Sequence, residues 1–198
     1  MKYNEHEVSG LLSPLIDSTR CRLVSWFIPA GKSILDVGCG NGQMIPYLKA
    51  PASYLGIDMD ADIIEWCRVK YPSCRFETAK ADAGSLPSGK YDAIILSGVI
   101  EHIEPSTRQA LLNNVRALLN KDGLVVLATP TVFGGLFHKW MSWVGLASRE
   151  AAEEHKGFLS KADMAQLFAE TGFEITKHSY YFCGMAHIVC AKPGKVKQ

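Results

Sequence analysis

A run of alternating glycines is the chemically most informative feature of this 198-residue sequence. The segment ILDVGCGNGQM (34–44) places Gly38, Gly40 and Gly42 directly after an apolar run. Glycines at this spacing allow a tight turn from a strand into a helix, and they let a ligand approach the backbone closely. Two ligands commonly bind at such a turn, a dinucleotide and S-adenosylmethionine.

The spacing of these glycines favours S-adenosylmethionine. The dinucleotide fingerprint G-x-G-x-x-G would need a glycine at position 43, where the chain has Gln43. Asp58 follows Gly38 by 20 residues, as a ribose-binding acid should, but both ligands carry a ribose. An NAD-dependent oxidoreductase is therefore the less favoured alternative.

Three acids are expected around the same crevice. Asp36, Asp58 and Asp82 each fall at or just beyond the carboxyl end of an expected strand, where an open α/β sheet binds its ligand. Three carboxylates would repel a pyrophosphate, whereas they suit a ligand with a sulfonium, an ammonium and two ribose hydroxyls. Each acid alone could equally cap a helix or form a turn. In combination with the glycines they indicate a binding site.

The elements that must position these residues are indicated by alternating apolar runs and helical patterns. Strands are expected at residues 34–38, 54–59, 75–79, 91–98 and 123–129. The strongest of them are apolar throughout, which is typical of strands covered on both faces. Helical spacing between the strands predicts a doubly wound, mostly parallel α/β sheet.

The two ends of the chain complete this architecture. A helix is expected over 14–28, lying over the ligand edge of the sheet, and another begins after the capping residue Ser160 and ends at Gly172. The last two strands, 173–182 and 187–193, are too close in sequence for a crossover helix. They are therefore expected to form an antiparallel hairpin.

A proline interrupts the helix expected after the glycine loop. Pro46 lies four residues past Gly42, and a proline beyond the first turn of a helix costs about 3 kcal/mol or more. We therefore expect this helix to start late or to be kinked.

In this order the motifs resemble those of class I S-adenosylmethionine-dependent methyltransferases, over residues 20–192. DVGCGNG matches the family's glycine-rich motif, GIDMD its ribose acid, ADAGSLP its adenine-side motif and YDAIILSGVIEHI its fourth-strand motif. The resemblance implies a single Rossmann-like methyltransferase domain, 1–198, with a seven-stranded sheet. It also implies an N-terminal helical extension at 1–30 and a helical insertion at 131–159 that could act as a lid.

The resemblance assigns residues to the cofactor S-adenosylmethionine and its product S-adenosylhomocysteine. Asp82 would face the adenine amino group, with Ala83 beside it. Arg20 and Arg22 could pair with the carboxylate of the cofactor. The implied cofactor-binding residues are Asp36, Gly38, Cys39, Gly40, Asn41, Gly42, Asp58, Met59, Asp82, Ala83, Ser97 and Gly98.

Transfer to a hydroxyl would need a base. Methyl transfer is an in-line displacement from a good leaving group, so the protein mainly orients and desolvates the reactants, but a hydroxyl must also lose its proton. His102 is the first candidate for the base, with Glu101 or Glu104 to orient its ring. His155 is the second candidate. Each histidine could instead only pack or lie in solvent.

The acceptor class is suggested by looser similarities. The EH pair after the fourth strand resembles ubiquinone-biosynthesis O-methyltransferases, and HKGF (155–158) with LFAETGF (167–173) resembles bacterial methyltransferases of glycan or lipid clusters. The apolar segment 132–147 could be a lid, a membrane-surface helix or a helix packed on the core. Its stripe at helical spacing consists of Leu136, Phe137, Trp140, Met141 and Val144.

Composition sets the remaining limits. With 21 Lys and Arg against 20 Asp and Glu, the chain lacks the charge of a nucleic-acid binder that relies on bulk positive charge. Irregularly spaced cysteines without a CxxC pair indicate reduced thiols in a cytoplasmic protein. No apolar stretch is long enough for a membrane span, although peripheral contact stays open. Cys183, His187 and Cys190 match no standard zinc spacing, so no metal is expected.

The sequence therefore predicts a methyltransferase that uses S-adenosylmethionine and acts on a small molecule, which could be glycan- or lipid-linked. The expected acceptor atom is a hydroxyl oxygen. N- or C-methylation, and a cofactor-binding module without turnover, are the alternatives. The sequence does not indicate the oligomeric state.

Overall fold

A seven-stranded sheet forms the centre of the computed structural model, which describes residues 13–81, 86–143 and 156–194. The strands are β1 (Ser33–Val37), β2 (Ser53–Asp58), β3 (Arg75–Thr78), β4 (Tyr91–Ser97), β5 (Leu119–Pro130), β6 (Phe173–Tyr181) and β7 (Ala186–Pro193). Their order across the sheet is β3-β2-β1-β4-β5-β7-β6.

Five α-helices are described around this sheet. They are α1 (Ser13–Trp26), α2 (Ala61–Lys70), α3 (Arg108–Leu118), α4 (Val132–Trp143) and α5 (Lys161–Glu170). Short 3-10 turns are formed by Ile45–Tyr47, Ile100–His102 and Pro105–Thr107. None of the described helices has the length and apolar character needed to cross a membrane.

The strand pairing confirms the predicted sheet. Strands β1 to β5 pair in parallel, and β7 pairs antiparallel with both β5 and β6. Because β6 is antiparallel to β7, it runs in the same direction as β1 to β5. The carboxyl ends of β1 to β6 and the amino end of β7 therefore share one edge of the sheet, called the carboxyl edge below.

The central strands are covered on both faces, which explains why they are apolar throughout. Along β1, Leu35 and Val37 pack in one cluster with residues of α3 and α5, while Ile34 packs in another with residues of α1 and α2. Successive side chains of a strand point to opposite faces, so one strand supplies both clusters. Each of these three residues is at most 1% exposed.

The predicted ends of the C-terminal helix are confirmed. The Asp163 amide donates to Ser160 Oγ at 3.2 Å, and the Ser160 amide donates to the Asp163 carboxylate at 3.0 Å, which forms a capping box. Gly172 has φ +71° and follows the C-cap residue Thr171, as a left-handed terminating glycine does.

The expected helix after the glycine loop does not form. Of the described residues between β1 and β2, only Ile45–Tyr47 is helical, as a single 3-10 turn that contains Pro46. Leu48 then returns to extended backbone, with ψ 141°. Proline offers no amide for a helical hydrogen bond and its ring blocks the preceding turn, so Pro46 prevents a helix from continuing out of the glycine loop and is tolerated only at the start of the 3-10 turn.

Candidate active site

Backbone hydrogen bonds hold the start of the glycine loop against the end of β2. The amides of Gly38 and Cys39 both donate to the Ile57 carbonyl, at 2.8 and 2.9 Å. Gly38, Gly40 and Gly42 have φ values of +70°, +50° and +69°, a left-handed backbone that favours glycine. A Cβ at Gly40 would meet no atom within 4 Å, so the loop faces open space there and a ligand can approach its backbone.

Asp58 joins the carboxyl end of β2 to this loop. Its Oδ2 accepts from the Gly40 amide at 2.9 Å, and its Oδ1 accepts from the Asp60 amide at 3.1 Å. An ionised carboxylate has about four lone-pair sites, so both oxygens retain capacity for a further donor. This partly exposed carboxylate therefore fits a ligand with two neighbouring hydroxyls, such as a ribose.

Asp36 is a buried acid at the carboxyl end of β1. Its side chain is 2% exposed and accepts a hydrogen bond from the Tyr54 hydroxyl at 2.8 Å. Burial raises the pKa of Asp36 to about 7, while the Tyr54 hydrogen bond opposes this rise. The negative charge of Asp58 raises the pKa of Asp36 further. A cationic ligand group in this crevice would favour the ionised form.

Two buried polar atoms without a hydrogen-bond partner among the described residues lie at the carboxyl end of β4. They are Ser97 Oγ and Arg20 Nε. Gly98 has φ +75°, and a Cβ there would lie 3.3 Å from Arg20 Nη1. The other end of this guanidinium pairs with Asp17 at 2.8 Å. Because buried polar atoms are normally paired, these atoms indicate a place for polar ligand groups.

His102 ends the 3-10 turn that follows β4. Its neighbour Glu101 is 3% exposed and accepts a hydrogen bond from the Thr129 hydroxyl at 3.0 Å. Burial raises the pKa of Glu101, and the charge of a protonated His102 would lower it. Glu104 pairs with Lys156 at 3.1 Å. The partly exposed imidazole of His102 thus lies at the carboxyl edge, beside a buried acid.

The remaining predicted site residues divide into two groups. Asp82, Ala83 and His155 lie outside the described residues. Asn41 is partly exposed in the glycine loop, and Met59 is 69% exposed directly after β2.

The two arginines of α1 differ in position. Arg20 reaches Gly98, whereas Arg22 is exposed. Only Arg20 is therefore placed to contact a ligand at the carboxyl end of β4.

Two buried thiols contact the backbone of the glycine loop. Cys39 and Cys67 are buried, and both lie within hydrogen-bond distance of the Gly40 carbonyl, at 3.6 and 3.3 Å from sulfur to oxygen. Burial raises the pKa of both, that of Cys67 to about 11, so these thiols stay neutral near pH 7. In the part of the chain that the structure describes, no group of three or more His, Cys, Asp or Glu is arranged to hold a metal ion.

Helix α4 packs closely through its two glycines and exposes apolar residues at its start. A Cβ at Gly134 would overlap the Met185 carbonyl, and a Cβ at Gly135 would overlap the Phe158 ring. Val132, Phe133 and Leu136 are 46%, 64% and 61% exposed, and Phe137 is 37% exposed. The structure does not describe the side chains of Trp140 and Met141 of the predicted stripe, and Val144 lies outside the described residues.

Several residues of the site carried no signal in the sequence. The Tyr54 hydroxyl donates a hydrogen bond to Asp36, and the Thr129 hydroxyl donates one to Glu101. In both pairs the two residues belong to different elements of the fold, so their contact is not visible in the sequence. Tyr181 of β6 interacts electrostatically with Arg20 and Glu101, and burial raises the pKa of Tyr181 to about 12. A further pair, His178 and His187, meets between β6 and β7. Only knowledge of the strand register could have brought these residues together.

Comparison with known proteins agrees with this geometry. The family model described as a methyltransferase domain matches residues 6–178. An uncharacterized methyltransferase of Mycobacterium tuberculosis is 31% identical over 136 residues, which cover 64% of this chain and 68% of that protein. The ubiquinone/menaquinone biosynthesis C-methyltransferase UbiE of Campylobacter jejuni is 26% identical, over 86% of this chain and 83% of its own.

Solved structures share the fold. A TehB-like SAM-dependent methyltransferase from Corynebacterium glutamicum aligns with a TM-score of 0.67 at 18% identity, covering 88% of this chain and 86% of that one. Magnesium protoporphyrin IX methyltransferase from Synechocystis, with bound S-adenosylhomocysteine, aligns with a TM-score of 0.67 at 21% identity. The alignment covers 89% of this chain and 82% of that one. With a glycine loop, an acid at the end of β2 and this sheet order in place, the chain belongs to the class I S-adenosylmethionine-dependent methyltransferases.

Proposed function

We propose that this methyltransferase methylates a hydroxyl oxygen of a small molecule with an apolar body. The observation that carries the proposal is the position of His102, an imidazole at the carboxyl edge beside the buried carboxyl of Glu101. S-adenosylmethionine supplies an electrophilic methyl group and a neutral leaving group. A hydroxyl acceptor must lose its proton, and imidazole is the side chain that titrates in the required range. His155 stays a second candidate for this base.

The chain's own residues would bind and orient the cofactor. Asp58 would accept from the ribose hydroxyls, because it has unused acceptor capacity on both oxygens. Arg20 would pair with the cofactor's carboxylate near Gly98, since its guanidinium has a buried N–H without a partner among the described residues. Ionised Asp36 would attract the cationic groups, and Asp82 would contact the adenine.

An apolar acceptor is supported by the start of α4. This helix follows β5 directly at the carboxyl edge and exposes Val132, Phe133 and Leu136. A fatty-acid O-methyltransferase of Mycolicibacterium smegmatis is 37% identical over 70 residues, which cover 33% of this chain and 26% of that protein. The UbiE relatives are named for quinone biosynthesis. We therefore propose an acceptor that carries an alkyl, prenyl or lipid-linked group.

Carbon methylation is the second candidate function. It is favoured by the UbiE relatives, which are C-methyltransferases by name and match over 86% of this chain. The two candidates differ in their need for a strong base. Near-normal turnover of a His102→Ala variant would contradict the O-transfer role that we assign to His102.

The cofactor is tested first, by calorimetric titration of the purified protein with S-adenosylhomocysteine and with NADH as the control. Micromolar binding of S-adenosylhomocysteine alone is expected. Transfer of a labelled methyl group is then screened on catechol, 1-dodecanol and lipid-linked sugars. Product analysis identifies the methylated atom, and a product methylated only at carbon or nitrogen would refute the proposed reaction.

A cytoplasmic location also belongs to this proposal. Cys21, Cys39, Cys67, Cys74, Cys183 and Cys190 are all free thiols. Free cysteines are typical of proteins in a reducing compartment.

A further inference from the structure

A pair of histidines forms a hydrogen-bonded chain at the carboxyl edge, outside the residues assigned above. His178 of β6 and His187 of β7 lie 2.9 Å apart, from Nε2 of the first to Nδ1 of the second. Nε2 of His187 lies 3.1 Å from the Leu159 carbonyl oxygen. His187 is 2% exposed, whereas His178 is partly exposed. This series of hydrogen bonds therefore leads from the buried Leu159 carbonyl to the partly exposed ring of His178.

The Leu159 carbonyl fixes the protons along this chain. A carbonyl can only accept, so Nε2 of His187 must carry a hydrogen. Nδ1 of a neutral His187 is then an acceptor, and Nε2 of His178 must donate to it. Nδ1 of a neutral His178 is consequently left with a lone pair. One tautomer of each ring, with the hydrogen on Nε2, satisfies both hydrogen bonds. This pair of tautomers leaves Nδ1 of His178 as a basic nitrogen.

The pair lies beside the site described above. In the register of β5 and β7, His187 is opposite Thr129, whose hydroxyl bonds to Glu101. Neighbouring strands are separated by about 4.8 Å, so His187 is one strand away from the side chain that supports Glu101. Tyr180, which is 51% exposed, places its ring 5.2 and 5.1 Å from the rings of His178 and His187.

A bulge in β6 creates this arrangement. Ile175 pairs with Ala191, but Lys177 pairs with Cys190, so β6 holds one extra residue between them. If β6 paired in strict alternation from Ile175, Lys177 would lie on the face of His187 and His178 on the opposite face. Bulges re-aim side chains and are frequent next to active sites.

We propose that His178 is a further catalytic residue, which accepts the proton of a hydroxyl acceptor lying over the ends of β5 and β7. His187 is then a positioning residue, because it acts by holding His178 in one tautomer. This inference rests on the proposed hydroxyl function and adds a second imidazole to it. His102 stands on the β4 side of the acceptor, and His178 on the β6 side.

The proton and electron balance of this step is simple. The acceptor oxygen takes the methyl group from sulfur, which keeps the electron pair of the broken S–C bond. The hydroxyl proton goes to Nδ1 of His178. The proton on Nε2 of His178 can then shift to Nδ1 of His187, so that the Leu159 carbonyl still accepts from a protonated pair.

The surroundings keep the pair neutral and ready to accept one proton. Burial lowers the pKa of His178, and the positive charge of Lys161 at the start of α5 lowers it further. Burial also lowers the pKa of His187, a protonated His178 adds to this effect, and the Leu159 carbonyl opposes it. The unprotonated form therefore dominates at pH 7, and proton uptake is expected below the usual range of histidine.

The test combines histidine NMR with a coloured hydroxyl probe, on the full chain saturated with S-adenosylhomocysteine. Ring-¹⁵N histidine spectra are recorded from pH 5 to 9, for the wild type and for His178→Gln, His187→Gln and His102→Gln. The probe is 4-nitrocatechol, whose visible absorption changes when a hydroxyl loses its proton. We expect Nε2–H tautomers at both histidines and uptake of a single proton by the pair.

We expect the bound probe to ionise about one pH unit below the free probe, because its anion is stabilised by the positive charge of the imidazolium that forms when the histidine pair accepts the proton. His178→Gln should reduce this difference, because His102 then remains as the single base of the two, while it keeps the affinity for S-adenosylhomocysteine within about twofold. His187→Gln should leave a mixture of His178 tautomers and a smaller shift of the probe.

The inference is overturned if His178 carries its proton on Nδ1, or if wild type and His178→Gln ionise the probe alike. If His178→Gln does not fold, the ring-¹⁵N spectrum of the wild type still tests the inference, because it shows which nitrogen of His178 carries the proton. If only His102→Gln moves the ionisation of the probe, the hydroxyl function stands and the role of His178 falls. If wild type does not bind S-adenosylhomocysteine, the proposed function fails and this inference falls with it.

Discussion

The buried acid Asp36 offers the sharpest test of how the cofactor site is built, through the substitution Asp36→Asn. In the folded protein, burial raises the pKa of this carboxyl from its ordinary value of 3.8 to about 7. The folded state therefore binds the proton more tightly than the unfolded state. The stabilisation that results is complete below pH 3.8 and is lost as the pH rises to about 7.

The size of this loss follows from linkage. Each pKa unit corresponds to about 1.4 kcal/mol, so the three-unit interval limits the loss of unfolding free energy to about 4 kcal/mol. Asparagine has nearly the same shape, still accepts from the Tyr54 hydroxyl and has no proton to lose. Asp36→Asn should therefore stabilise the ligand-free protein at pH 8 by about 3 kcal/mol more than at pH 5, which raises the melting temperature by roughly 6–12 °C more.

The assay is thermal unfolding of wild type and Asp36→Asn at pH 5 and pH 8, without ligand. The same variant should bind S-adenosylhomocysteine more weakly, since a neutral amide cannot attract its ammonium group. Calorimetry of wild type near pH 6, in buffers of different ionisation enthalpy, should show release of a proton on binding. An equal change of melting temperature at both pH values would refute the reasoning, because it would mean that burial does not alter the ionisation of Asp36.

Two further predictions use matched controls within the chain. Arg20→Ala should weaken S-adenosylhomocysteine binding about 10- to 100-fold in calorimetry, as expected for the loss of a charged hydrogen bond, whereas Arg22→Ala on the exposed side of α1 should have little effect. Equal losses in both variants would argue against a carboxylate site at Arg20. Gly38→Ala should lower the unfolding free energy by several kcal/mol in urea titrations, because its Cβ would lie 2.5 Å from Val99 Cγ2. Gly31→Ala, with φ +72° and no atom within 4 Å, should cost only about 1–2 kcal/mol, so a similar cost at both positions would contradict the packing argument.

The cofactor half of the site could be predicted because its residues are close in sequence. The glycine loop and Asp58 lie at the ends of β1 and β2, and each apolar run that forms a strand is followed directly by the residues it positions. The fold followed from the same alternation. The prediction of a helix after the glycine loop was wrong because the alternation of strand and helix was extended across a segment in which Pro46 prevents a helix from continuing out of the loop.

The side-chain contacts that support the site could not be predicted, because they depend on strand register. Tyr54 meets Asp36 only because β1 and β2 are neighbours, and Thr129 meets Glu101 only because the turn after β4 folds over β5. Periodicity identifies a strand, but it does not give the partner of each residue.

The histidine pair shows why even a correct prediction of the hairpin was insufficient. The two strands were predicted near their observed positions, and strict alternation from Ile175 would have placed Lys177 opposite Val189, next to His187. The extra residue between Ile175 and Lys177 reverses the faces, so His178 takes that position and meets a buried partner. A one-residue irregularity without a glycine or proline to mark it leaves no pattern in the sequence. An imidazole directed inward by a bulge, with its tautomer fixed by a backbone carbonyl, is better explained by a requirement at this edge of the sheet than by packing, for which an apolar side chain would be sufficient.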